Sequence, residues 1–163
     1  MTEPVEEMIQ KTYVRLEYQV VAPETLTRFL LALKEGKILG RRDPATNRVY
    51  CPPRPGSPTH GSDMGEYLEV RDHGTLTTFC IVNVAFEGQV MKVPYVYGAI
   101  LLDGSDTPFL HLVQAPATEA RMGMRLRAVW KKPEEREGNF TDIMCFEPSG
   151  EPDAPYERYQ EFL

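Results

Sequence analysis

The sequence predicts a mainly β fold with one small closed barrel, and three observations support this. From residue 65 onward, short runs rich in β-branched and aromatic residues recur between Gly, Pro and Asp turns. The most secure helical periodicity lies upstream of them, in PETLTRFLLALKEG at 23–36. Between the two regions, residues 37–63 are dense in Pro, Gly, Arg and small polar residues and show no period. A chain of 163 residues is long enough for one ordinary domain with appendages. At that size folding hides roughly 70% of the unfolded surface, so no disulfide or metal is required.

The elements follow in chain order. Val14, Leu16, Tyr18 and Val20 alternate with Arg15, Glu17 and Gln19, which predicts a short extended segment. Pro23 suits the first helical position and Glu24 the electropositive first turn. Leu26, Phe29, Leu30 and Leu33 then fall on one apolar face, and Gly36 is a natural stop. In 37–63, RVYC is strand-like between the turns DPAT and SPTH. Prolines 52, 53, 55 and 58 forbid a regular ladder there, so most of the stretch reads as loop.

Six β segments follow: EYLEV, TLTTFCIVNVAF, KVPYVYGAILLD, PFLHLVQ, MRLRAVWKK and FTDIMCFEP. Residues Phe79 to Val82 are apolar on both faces, as expected of a buried barrel strand. Gly98 marks a bulge or a close backbone approach. PATEARMG predicts a one-turn helix ending at Gly123, and PEEREGN an acidic loop. The count is one strand more than a five-stranded OB barrel needs, and the size fits one. In the tail, Tyr156, Tyr159 and Phe162 sit at helical spacing. They form either a short helix packed on the barrel or an aromatic anchor for a partner.

Composition narrows the function. The apolar fraction of 42% and charged fraction of 26% are those of a soluble globular protein. No apolar run approaches the ~20 residues of a membrane span. The acidic start MTEPVEEMIQK lacks a secretory pattern. Cys51, Cys80 and Cys145 are widely spaced and odd in number, which points to a reducing, cytoplasmic setting. Cys80 and Cys145 lie in apolar runs and read as small buried hydrophobes. The net charge of −6 weighs against nucleic acid, whose phosphates demand a basic face.

No catalytic set stands out. His73 in RDHGT reads as a turn histidine, and His111 as one face of a barrel strand, either satisfied or turned to a ligand groove. No nucleophile elbow, P-loop or dinucleotide fingerprint occurs.

The strings GKILGRRDPATNRVYCPPRPGSPTHG, HGTLTTFCIVN, VPYVYGAILLDG, LHLVQ and ARMGMRLRAVW, in that order, resemble the acyl-CoA-associated OB-fold family with an N-terminal rubredoxin-like zinc ribbon. The resemblance spans roughly residues 23 to 148. It implies four segments: an extension and amphipathic helix at 1–36, a degenerate zinc ribbon at 37–63, an OB-fold barrel at 64–148 and a tail at 149–163. The family's two knuckles read CPxCG. Here the four ligand positions are Asp43, Thr46, Ser57 and His60, with Pro44 and Pro58 kept. Hydroxyls are poor donors for a structural zinc, so no metal and no resident cofactor is expected.

The resemblance further implies a non-catalytic companion subunit of a thiolase-like enzyme, of the sterol-carrier-protein thiolase or aldolase type. Such a subunit stabilises its partner and shapes the acyl-CoA channel, with lipid or steroid side-chain breakdown as the setting. A hetero-oligomer follows, with acyl-CoA as a ligand shared with the partner. Candidate contacts are Tyr50, Pro53 and Arg54 in the proline-rich strip, Arg42, and the tail aromatics Tyr156, Tyr159 and Phe162. Arg42 and Arg54 suit either carboxylates of a partner or phosphates of CoA. The alternatives are a companion of an enoyl-CoA hydratase, or a free-standing OB module for an acyl-CoA, a lipid or single-stranded nucleic acid. In such a module Tyr95 and Tyr97 would form the stacking platform.

Overall fold

The structure, a computed structural model, describes residues 6–12, 14, 16, 17, 19–89 and 91–163. Of the segment expected to be extended at 14–20, Arg15 and Tyr18 lie outside the described residues. Val14, Leu16 and Val20 are exposed and in no strand.

Helix α1 runs Glu24–Lys34, with Pro23 as its cap rather than its first residue. Gly36, at φ +79°, ends it with bonds back to Leu33 and, through Lys37, to Ala32. Phe29 and Leu33 are fully buried, and Leu26 and Leu30 pack beside them, so the apolar stripe meets the core as its spacing requires.

Two sheets follow. The first is three-stranded and antiparallel, in the order β2 (Val49–Tyr50), β1 (Ile38–Arg42), β3 (Tyr67–Val70). The second is a closed five-stranded barrel in the order β4 (His73–Val82), β5 (Tyr95–Leu102), β6 (Pro108–Val113), β8 (Ile143–Pro148), β7 (Arg125–Trp130). This is the OB architecture. EYLEV, the first of the six segments counted in the sequence, is the one beyond the five of the barrel; it pairs with β1 (Gly40 opposite Leu68) and belongs to the upstream sheet. The stretch KILGRR, which composition alone reads as loop, is β1. Gly40 lets β2 come close, since a Cβ there would sit 2.7 Å from Val49 Cγ1.

Inside the barrel Leu76, Val96, Ile100, Phe109, Leu126, Ile143 and Phe146 are all at most 2% exposed. Gly98 is a close approach, because a Cβ there would run into Leu76 Cδ1 and Val113. The bulge falls in β4, between Leu76 and Thr78. One expectation fails at the end of that strand. Phe79 is only half-buried, and Cys80 and Ile81 are exposed. The reason is topological: β7 pairs with β4 only over His73–Thr75, so beyond the bulge β4 is an edge with β5 alone beside it. Cys145 is buried, as expected, and its Sγ donates to Gln114 Oε1 at 3.1 Å. PATEARMG forms a hydrogen-bonded turn, not a helix.

The tail closes on the barrel through two 3-10 turns, Tyr156–Arg158 and Gln160–Phe162. Arg121 grips Asp153 with two bonds of 2.6 and 2.8 Å. Arg125 bridges Asp103 and Glu151.

Candidate functional site

The barrel's outer face carries the feature that sets this molecule apart from an ordinary small barrel. Along β5 and β6, residues facing outward alternate with those facing the core. The outward set is itself apolar: Tyr95 and Tyr97 on β5, Leu110 and Leu112 on β6. Leu110 is 60% exposed, and Met144 on β8 is 49% exposed. Val84, Phe86 and Met91, in the connection after β4, are exposed as well.

Strands β6 and β8 are joined by a single parallel pair, Val113 with Phe146. Between β6 and β8 the surface sinks into two adjoining grooves of about 640 and 570 Å³. They share Leu112 and Met144. Among the described residues, neither is lined by any Lys, Arg, Asp or Glu.

Two further groups shape the second groove. Phe140 stands at its rim, packed on Phe29 of α1 with ring centres 5.6 Å apart. Its loop is fixed by the buried Asp142, which accepts from the backbone N–H groups of Glu137, Gly138 and Asn139 at 3.1, 2.7 and 3.1 Å. Burial alone would raise the Asp142 pKa, but those three donors and Lys131 outweigh it and hold the carboxyl below its ordinary range. His111 lines the same groove, stacked on Phe109 and edge-on to Phe146. Burial lowers its pKa, against weaker backbone hydrogen bonds, which favours the neutral ring.

The candidates chosen from sequence lie elsewhere. Tyr50 and Pro53 are buried in the region of residues 38–70 that holds the three-stranded sheet, called the ribbon below for its short strands, so their surface is already used within the chain. Arg42 is tied to Asn47 and Glu66. Arg54 is exposed, and its carbonyl is held by Arg41. The tail aromatics do not form one exposed stripe. Tyr159 is 6% exposed against Gly123 and Ala154, Phe162 is half-buried, and only Tyr156 is open, with its ring edge-on to that of Tyr159. Tyr95 and Tyr97 do share a face, as read from the sequence, and it is the apolar one.

The four knuckle positions do converge. The Asp43 carboxylate is fully buried and accepts from Ser57 Oγ at 2.7 Å, Thr46 Oγ1 at 3.0 Å and the Ala45 N–H at 2.9 Å. His60 joins through its backbone N–H, which donates to Ser57 Oγ at 3.2 Å. The hydrogen bond from Ser57 is the main cause that keeps Asp43 ionised below the usual carboxylate range. Cys51, nearby in sequence, is buried, and burial pushes its thiol up to about 12.

Arg41, which sequence reading passed over, closes the other side of the ribbon. Its guanidinium donates to the carbonyls of Arg54, Pro55, Met64 and Gly65 and lies 4.8 Å over the Tyr67 ring. Among the described residues no cluster of three or more His, Cys, Asp or Glu is set to hold a metal. None of the described helices is long and apolar enough to cross a membrane.

Topology and packing thus define an OB-fold protein whose barrel presents an apolar outer face. Residues 67–131 match the family described as the ChsH2 C-terminal OB-fold domain. The matched segment runs from β3 to β7 and agrees with the OB-fold family that the chain's motifs resemble. No curated protein sequence matches it.

Among solved structures it is similar to one described as an Ltp2–ChsH2(DUF35) aldolase, with a TM-score of 0.60 and 18% identity. That match covers 80% of this chain and 99% of the other. It is also similar to a DUF35-family protein of unknown function from Sulfolobus solfataricus. There the TM-score is 0.53 at 18% identity, over 63% of this chain and 75% of the other. At such identities these two likenesses speak for the fold.

Proposed function

We propose that this chain is a non-catalytic companion subunit that docks on a thiolase-like acyl-CoA enzyme and helps form the wall of its acyl-CoA channel. The observation that carries the reading is the apolar outer face of β5, β6 and β8. A monomeric surface rarely leaves so many large apolar side chains adjacent and uncovered. The residues there, Tyr97, Leu110, Phe140 and Met144, are of the kind that anchor interface cores, where charge is depleted. The likeness to the barrel of an Ltp2–ChsH2 aldolase supports a partner of the thiolase-like class. A cytoplasmic setting and a role in lipid or steroid breakdown belong to the same reading.

Co-expression with a thiolase-like subunit tests it. The wild-type chain should co-purify with the enzyme, and Leu110→Asp/Met144→Asp should not, while keeping its own β-sheet circular dichroism. Retention of the enzyme by the double variant would remove this face from the account.

The grooves favour one second reading, a free-standing module that takes the acyl chain of a lipid or acyl-CoA. They are large enough for an aliphatic chain and lack charge. Stoichiometric acyl-CoA binding by the isolated chain would favour that reading over docking.

A further inference from the structure

We infer that Asp43 is an anionic staple that joins the two turns of the ribbon at the point where its resemblance places a metal. The residues present do not fit a structural zinc. Such a site takes four thiolates or imidazoles, and here two of the four positions are hydroxyls. Those hydroxyls are already committed, because Ser57 and Thr46 both donate to the same Asp43 oxygen. The other oxygen is held by the Ala45 N–H. A cation entering here would have to strip three donors from the carboxylate.

The staple works beside Arg41, which ties β1 to the carbonyls of Arg54 and Pro55 just before the second turn. Asp43 directly follows β1, and Ser57 lies fourteen residues on, in the second turn. Each turn is closed locally: Asn47 N–H donates to the Asp43 carbonyl, and Gly61 N–H to the Ser57 carbonyl. The link between the turns is the 2.7 Å bond from Ser57 Oγ to Asp43 Oδ2. Ser57 Oγ in turn accepts from the His60 N–H and lies 3.4 Å from Thr59 Oγ1. Thr59 Oγ1 meets His60 Nδ1 at 2.8 Å, so the chain of bonds runs from the buried carboxylate out to the surface imidazole. A buried carboxylate persists only when such donors replace its lost water.

Hydrogen exchange on the full-length chain tests the inference without any partner. Asp43→Asn should speed exchange of the Asn47, Ser57 and Gly61 amides at least tenfold and leave the amides of β5 and β7 unchanged. Ser57→Ala should do the same, and the double variant should add little to either single change. Ser57→Ala also covers the case in which Asp43→Asn fails to fold. Chelator should have no effect on the wild type. Unchanged exchange in Ser57→Ala would overturn the staple. So would chelator reproducing its effect, because a metal would then be holding the turns.

Discussion

The ribbon and the barrel are both small β structures, but different forces hold them. The barrel coheres through a filled apolar interior that runs from Leu76 to Phe146. The ribbon has little interior of its own. Its few buried apolar groups, among them Val49, Cys51 and Met64, are supplemented by one buried anion, Asp43, and one cation, Arg41, that gathers four carbonyls. Apolar cohesion is non-directional and tolerates swaps of similar volume. A hydrogen-bonded hub depends on donor and acceptor standing at fixed places, so the ribbon should tolerate fewer swaps of similar volume than the barrel.

Substitutions in each region sharpen the contrast. Phe146→Ala empties a fully buried site against Phe109 and His111, and should cost about 3–5 kcal/mol in urea unfolding. Arg41→Ala should cost less overall, about 1–3 kcal/mol, since it orphans partly buried carbonyls. Its loss should show first as proteolysis between Pro52 and Gly65, with the barrel intact. Leu110→Asp should change stability by only about 0.5 kcal/mol, because the side chain is exposed, and yet it should weaken partner binding strongly.

Acid provides a separate probe. Asp43 and Asp142 both have depressed pKa values in the fold. Their contribution is complete above the unfolded carboxylate value of about 3.9, and is withdrawn as pH falls below it toward their folded values. Asp43→Asn should therefore flatten the drop in urea midpoint on that acid limb, which a pH series of unfolding curves would read.

The barrel was largely legible in the sequence, because period-two alternation and Gly/Asp turns are local signals. The helix was legible for the same reason. Three features needed tertiary information. EYLEV has the same alternation whether it joins a barrel or a ribbon, and only the pairing with β1 decides. Burial of Tyr50, Pro53 and Tyr159 cannot be read from their residue types, since an aromatic or a proline serves a core or an interface equally well. The apolar outer face did leave a trace, in strands apolar on both faces such as PFLHLV and IMCF. That pattern means either burial on both sides or an uncovered surface, and Phe79 to Ile81 at the β4 edge show how the choice turns on neighbouring strands. The Asp43 hub was half visible: four positions of a knuckle pattern held polar residues, but their mutual bonds appear only in three dimensions.

In the proposed function the outer face of β5, β6 and β8 docks on a thiolase-like subunit. Hydrogen exchange of the chain with and without that subunit measures it most directly. The account predicts added protection over Tyr95–Leu101, Pro108–Leu112 and Phe140–Cys145. Protection confined to Pro52–Pro58 and the tail, or none anywhere in a confirmed complex, would contradict it.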